Sequence, residues 1–227
     1  MLRVWESGEG WMGAARAAVL AACERAGEVH LCLSGGSTPK PLYEELARSE
    51  EFSALAKSRD VHLWVGDERE AAPGSGLRNS EMIGECFVGS PVTFHPWPLG
   101  PREAAGPAYA REFSEAMRGR LGACATADVP LFDLVLLGMG EDGHTAGLFS
   151  ARDLEPKAGS LVVFTEAPSE PRHRQSLTLE TLGAAGKVVV FLRGRAKVRR
   201  LMENLFGERS DPIGAFLARD CEVLAQL

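Results

Sequence analysis

A chain of 227 residues with 45% apolar composition has the means to bury a substantial core, as one large α/β domain or two small ones. Its formal net charge of -6 leaves no overall basic footprint for nucleic acid, so any anionic ligand must be drawn by a local cluster of cations. The acidic opening MLRVWESGEG lacks the apolar centre of a secretory signal, and no run of about 18 apolar residues offers a membrane span, so a cytoplasmic location with no membrane partner is expected.

Residues 11–26 are alanine-rich, with Trp11, Ala15, Ala18, Val19 and Ala22 at helical spacing, and Gly27 closes the helix. Val29 to Leu33 reads as a strand. It runs into SGGSTPKPLYEELARS, a glycine-bearing turn followed by a helix, with Thr38 as candidate N-cap and Pro39 at the first helical position. Asp60 to Gly66 is a second strand leading into DERE, then a Gly- and Pro-rich loop and a short helix over Asn79 to Phe87.

Val92 to Leu99 is a weaker strand pattern, interrupted by Pro96 and Pro98. Pro107 to Leu121 places Tyr109, Phe113, Ala116 and Met117 on one helical face. Leu134 to Leu137 is a continuous aliphatic run, as expected of a strand buried on both faces. It ends in GMGEDGH and then HTAGLFSARD, a short helix stopping before Pro156. Ser160 to Thr165 is a strand followed by the loop EAPSEPRHRQ and a helical or extended segment. Lys187 to Leu192 is another buried-type strand, followed by RGRAK and a helix over Val198 to Phe206. The alternation predicts an α/β fold with a doubly wound, mainly parallel sheet and helices on both faces, undivided by any linker. Cys23, Cys32, Cys86, Cys124 and Cys221 are odd in number and lack a CxxC pair, which argues against a disulfide framework or structural zinc and suggests small core residues.

In such sheets ligands bind outside the carboxyl ends of the strands. Five polar or glycine-rich segments fall there: SGGST, GDER, GMGEDGH, the loop with Arg172 and Arg174, and RGRAK. Backbone N–H groups around Gly35 and Gly36, the hydroxyls of Ser34, Ser37 and Thr38, and a helix N-terminus make a candidate phosphate cradle. Arg69, Arg172, Arg174, Arg195 and Lys197 are candidates to converge on the same phosphate. His144 is the candidate general base, since an imidazole exchanges a proton near neutral pH, and either Asp142 or Asp67 is placed to orient it. His30 and His62 sit within strands and His95 in a Pro-rich segment, all read as packing residues; His173 adjoins the arginine loop. GMGEDG also fits a dinucleotide GxGxxG with Glu166 as the ribose acid. Glu141 and Asp142 inside the loop, the short following helix and the late position in the chain weigh against that. No HExxH or GxSxG pattern supports metal or serine hydrolysis.

Together, SGGSTPKPLYEEL, GDER with Asn79 downstream, LGMGEDGHTAGLF, the Arg174 segment RQSLTL, and RGRAK resemble the 6-phosphogluconolactonase family, in the same order and over nearly the whole chain. That family lies in a superfamily with glucosamine-6-phosphate deaminase and isomerase-like sugar-phosphate enzymes. The resemblance implies a Rossmann-like single domain over residues 1–227. It also implies hydrolysis of 6-phospho-D-glucono-1,5-lactone to 6-phosphogluconate in the oxidative pentose phosphate pathway, with no metal and no organic cofactor. His144 would activate water. Gly35, Gly36, Ser37, Thr38, Arg174 and Lys197 would hold the phosphate, with Asn79 as a further substrate contact. Arg69 would bind substrate or stabilise developing negative charge, and Asp67 would position groups around the lactone.

The implied partner is a phosphorylated sugar lactone, bound by a monomer or a homodimer. The alternatives are a deaminase-like sugar-phosphate isomerase and a non-catalytic sugar-phosphate-binding regulator. The deaminase pattern carries a glutamate after its DGH motif, where this chain has Leu148, Phe149 and Ser150. Gly147 and Ser150 also replace a serine and a proline common in the lactonase pattern, and Arg78 replaces the serine that commonly precedes the asparagine.

Overall fold

A computed structural model describes residues 1–6, 8–25, 27–124, 129–155, 158–208 and 210–227, without the side chains of Glu9 and Cys124. The first half of the chain forms β1 (Leu2–Trp5), α1 (Gly8–Cys23), β2 (Val29–Leu33), α2 (Lys40–Arg48), α3 (Glu50–Ser58), β3 (Val61–Val65), β4 (Asp67–Arg69), α4 (Asn79–Cys86) and β5 (Thr93–His95). The second half forms α5 (Arg102–Ala116), α6 (Arg118–Cys124), β6 (Leu134–Leu137), a 3₁₀ turn (Ala151–Leu154), β7 (Val162–Glu166), β8 (His173–Leu177), α7 (Leu179–Gly183), β9 (Val188–Arg193), α8 (Arg195–Leu205), α9 (Pro212–Leu217) and β10 (Cys221–Gln226).

Seven strands make one sheet in the order β1-β10-β9-β6-β2-β3-β5, and every pairing in it is parallel. β2 and β6 are buried along their whole length, and β9 at all but its last residue, because helices cover the sheet's two faces. The order reverses between β2 and β6: from β2 the chain builds outward through β3 and β5, from β6 through β9 and β10. Asp133 locks this seam. Its carboxylate accepts from the His30 backbone N–H at 2.8 Å and from Arg120 at 2.9 Å, while its own N–H donates to the His30 carbonyl at 2.8 Å.

β3 stops at Val65 because polar side chains take up its last groups. The Tyr109 hydroxyl bonds Val65 N and O, both at 3.0 Å, and Trp97 Nε1 donates to Val65 O at 2.8 Å. The chain then turns at Gly66 into a second, three-stranded antiparallel sheet, β4-β8-β7. Toward the amino ends of β2 and β3 the imidazoles of His30 and His62 stack with centroids 4.6 Å apart, and the ring of His95, at the end of β5, stacks on His62 at 5.2 Å. Burial first, then Arg120 and the neighbouring imidazoles, hold His30 down to about 3, so it is neutral. The three rings pack against one another and against Trp64.

Several expectations need correction. The GDER segment, expected as the polar end of the preceding strand, forms a strand of its own, β4, and Arg174, expected in a loop, lies within β8, which pairs with β4 on one side and β7 on the other. The strand expected at 160–165 runs antiparallel in the second sheet. Thr38 and Pro39 lie in a turn and α2 begins at Lys40, whereas α8 begins early, at Arg195, which puts Lys197 in its first turn. HTAGLFSARD forms turns and the 3₁₀ segment rather than an α-helix. The helix at 107–121 divides into α5 and α6, with Pro107 inside α5 and Ala116 exposed.

The strand expected over 92–99 is confined to β5, as its prolines require. The alanine-rich helix is α1, which starts at Gly8; residue 26 at its expected end lies outside the described residues. β1, α3, α9 and β10 went unforeseen. Cys23, Cys32 and Cys221 are buried free thiols and Cys86 is half-buried; the Cys124 side chain lies outside the described residues. Among the described residues no helix is long and apolar enough to cross a membrane.

Asp133→Ala should lower stability by about 3 kcal/mol, because it strips the buried His30 N–H of its acceptor and the half-buried Arg120 of its charged partner. Urea unfolding should show a lower midpoint with an unchanged slope. A loss under 1 kcal/mol would mean that the seam holds without this carboxylate.

Candidate active site

A cavity of about 290 Å³ opens at the carboxyl ends of β2 and β6, at the point where the strand order reverses. It is walled by the Ser34–Thr38 loop, by Asp67, Arg69 and Asn79, by Gly138–Gly140 and His144, and by Lys197. The volume lies at the lower bound of ligand clefts, which run from roughly 300 to 1,000 Å³, and is small for a dinucleotide.

The loop after β2 is shaped by a close approach. A Cβ on Gly35 would collide with the Asn79 carboxamide, so only glycine lets these two meet. Asn79 is itself held by the buried carboxylate of Glu68, which caps the start of α4 by accepting from the Asn79 N–H at 2.7 Å and the Ser80 N–H at 3.0 Å. Arg78 donates to the same carboxylate at 3.3 Å. The Asn79 side chain then donates to the Asp67 carbonyl at 2.9 Å and to its carboxylate at 3.2 Å. Glu68 thus fixes the relation between β4, α4 and the loop after β2.

The loop after β6 presents the histidine. Gly140 N–H donates to His144 O at 2.9 Å, Gly143 N–H donates to Gly140 O at 3.1 Å, and Thr145 Oγ1 donates to Gly138 O at 2.8 Å. This closure lays Asp142 and His144 over Gly140, where a Cβ would strike both side chains. Asp142 Oδ1 bonds His144 Nδ1 at 2.5 Å, so Asp142 rather than Asp67 is the imidazole's hydrogen-bond partner. A carboxylate only accepts, so Nδ1 carries the proton and Nε2 presents a lone pair in the neutral ring. From outside, Arg200 donates to the Asp142 carbonyl at 3.0 Å and to Asp211 at 3.0 Å, and Ile213 N–H donates to Gly143 O at 3.2 Å.

The electrostatics are of mixed sign. Burial raises Asp67 from 3.8 to about 6, reinforced by Glu68 and opposed by Arg69, His144 and Arg174. Burial opposes ionisation of Asp142 too, but the charge and hydrogen bonds of His144 outweigh it and hold the carboxyl below its ordinary value. Burial also lowers Lys197, against the pull of Glu141 and Asp142. Arg174 is lowered by burial and by Arg69, its cross-strand partner. Its guanidinium lies 5.8 Å from the centroid of Phe149, whose ring packs 4.6 Å from that of His144.

Gly35, Gly36, Ser37, Thr38, Asp67, Arg69, Asn79, His144 and Lys197 therefore come together around one cavity, and Asp142 backs the histidine. Arg174 stands beside Arg69 and is not part of the cavity lining. Arg172 and Arg195 are outside it; Arg172 is exposed and lies 3.9 Å from Glu166. Glu166 itself sits on β7, away from the cavity, which removes the ribose acid that a dinucleotide site requires. Glu68, Arg200 and Asp211 were missed, and Phe149 was singled out only for standing where the deaminase pattern carries a glutamate. Only Asp211 had a local signal, an acidic residue before proline at a helix start.

Fold and site define a class: a doubly wound α/β protein with a histidine, a glycine-bearing loop and a lysine around a cleft at its switch point. A family model, glucosamine-6-phosphate isomerases/6-phosphogluconolactonase, matches residues 11–224, and the chain belongs to that family. It is 37% identical over 192 residues to the GDH/6PGL endoplasmic bifunctional protein of Oryctolagus cuniculus, covering 80% of this chain but only 22% of that relative. It is 33% identical to the 6-phosphogluconolactonase of Synechocystis, covering 82% and 75% of the two chains. The crystal structure of 6-phosphogluconolactonase from Thermotoga maritima superposes with a TM-score of 0.78 at 27% identity, covering 100% and 98%.

Because folding raises the Asp67 pKa, the stability that this carboxyl contributes is complete below pH 3.8 and is lost as the pH climbs through about 6. That interval corresponds to roughly 3 kcal/mol. Asp67→Asn, which mimics the neutral form, should be more stable than the parent by up to about that amount at pH 8. Urea unfolding across a pH series should show the difference closing below pH 4, and a pH-independent difference would contradict the assignment.

Proposed function

We propose that the chain hydrolyses 6-phospho-D-glucono-1,5-lactone to 6-phosphogluconate, the second step of the oxidative pentose phosphate pathway, with a water activated by His144. The observation that carries this reading is the Asp142–His144 pair, whose remaining ring nitrogen is a base, set in a cleft that also holds an anion cradle. The phosphate sits between the Gly35–Thr38 loop and Lys197, the latter in the first turn of α8. Two helix N-termini, of α2 and α8, add their dipoles there. Binding energy from this remote group holds C1 beside the imidazole.

His144 Nε2 takes a proton as water oxygen bonds to C1, and the carbonyl electron pair becomes an oxyanion. The Arg69 guanidinium, on the cavity wall, neutralises that charge. Collapse re-forms the carbonyl and breaks the bond from C1 to the ring oxygen, which leaves with the proton that His144 holds. Asp142 keeps the imidazole in the tautomer for both transfers and stabilises the imidazolium between them. Arg174, through Arg69 and Phe149, sets the charge and shape of that wall. Phe149 bears on the choice of reaction, since it cannot relay a proton where the deaminase pattern carries a glutamate.

His144→Ala should reduce kcat by about 10²- to 10⁴-fold, the usual scale of general-base help, with KM little changed. Turnover is to be followed by stopped flow on freshly generated δ-lactone, with spontaneous hydrolysis subtracted; unchanged turnover would remove His144 as base. Lys197→Ala should raise KM by about 10- to 100-fold, matching the loss of one charge-assisted hydrogen bond. An unaltered KM would reject the phosphate placement. Ammonia release from glucosamine 6-phosphate should be absent, and its appearance would favour the deaminase reading.

A further inference from the structure

At the amino edge of the main sheet, remote from the catalytic cavity, two acid-Val-His triplets lie side by side. They are Glu28-Val29-His30 leading into β2 and Asp60-Val61-His62 leading into β3, with His30 and His62 in register. We propose that Glu28, Asp60 and His62 form a divalent-cation site of the zinc class, with His30 and His95 as its outer supports.

The three ligand atoms already lie within 4.8 Å of one another. His62 Nε2 is 3.5 Å from Asp60 Oδ1. Two ligands about 2.1 Å from one ion at a tetrahedral angle stand roughly 3.4 Å apart. One imidazole and two carboxylates make a nitrogen and oxygen set suited to zinc and its first-row neighbours, and three protein ligands leave the fourth position to water.

Hydrogen bonding sets His62 as a metal ligand requires. Glu112 Oε1 is 2.7 Å from His95 Nδ1 and can only accept, so the His95 proton is on Nδ1 and its Nε2 is an acceptor. His62 Nδ1, 2.9 Å from His95 Nε2, must therefore donate. The neutral His62 ring is left with a lone pair on Nε2, a buried atom with no hydrogen-bond partner, facing a carboxylate oxygen. Two acceptors in that relation repel unless a cation lies between them. The relay Glu112–His95–His62 is also the carboxylate-backed arrangement that orients metal-binding imidazoles.

His30 makes the second, independent pointer. It is only 1% exposed, and its Nδ1 accepts from Trp64 Nε1 at 3.0 Å, which puts its own proton on Nε2. That nitrogen lacks a partner too, and lies 3.5 Å from Glu28 Oε2. It is placed to steady the Glu28 carboxylate from the outer shell. Arg120, the nearby cation, donates to the Glu28 main-chain carbonyl and is neutralised by Asp133, so its charge is not spent on the Glu28 carboxylate.

Calorimetric titration of the chelator-treated full chain with Zn²⁺ tests the site. One saturable equivalent is expected, weakened at least tenfold in His62→Ala and in Asp60→Asn, the latter a surface change that keeps the imidazole stack intact. Glu112→Ala, which removes only the orienting carboxylate, should weaken binding about tenfold or more, while His173→Ala, at an exposed histidine elsewhere, should not. Zinc should raise the Tm of the parent and not that of His62→Ala, and lactone turnover should be unchanged in Asp60→Asn. Absence of stoichiometric binding, the result if a proton on His62 fills the gap instead, overturns the proposal. So does equal affinity in the parent, His62→Ala and Asp60→Asn.

Discussion

The adjacency of β2 and β6 is the constraint from which the site follows. Only two residue pairs, Leu31 with Leu134 and Cys32 with Val135, define their register, and Asp133 fixes it from below. Because the chain winds away from this seam in opposite directions, no crossover helix covers the carboxyl ends there. The loop after β2 and the loop after β6 are left facing each other across a gap. One supplies N–H groups and hydroxyls, the other an imidazole.

What the main sheet leaves open, the second sheet closes. β4 continues directly from β3 through Gly66 and pairs with β8, so Asp67 and Arg69 are carried over the mouth of the gap on a rigid ladder rather than on a free loop. Glu68 points the other way and caps α4, and α4 returns Asn79 to the Gly35 turn. Three successive residues thus serve three ends: a buried acid, a helix cap and a cation. The alternation of a strand, one side chain up and the next down, makes this possible.

The buried parallel strands were legible because their residues face apolar surroundings on both sides, and β2, β3, β6 and β9 read as near-continuous hydrophobic runs. β1 was not, being a largely exposed edge strand, and Glu222 and Gln226 obscure β10. β4 is three residues long and acquires its structure from β8, more than a hundred residues later, which no local pattern reports. At the site, GEDGH advertised the histidine, but the choice between Asp142 and Asp67 depended on how the glycines close the loop. Arg200 and Asp211 hold that loop from helices distant in sequence, and a surface arginine in a charged run carries no mark of such a task.

Arg69 and Arg174 are cross-strand partners, and like charges so placed repel. Asp67 and Glu68 offset this only in part, since one is raised by burial and the other is turned into the cap of α4. The β4–β8 ladder therefore carries two guanidinium groups under electrostatic compression, like a spring held shut by the hydrogen bonds between its strands. A negative charge brought against Arg69 would slacken that spring as well as pair with the guanidinium.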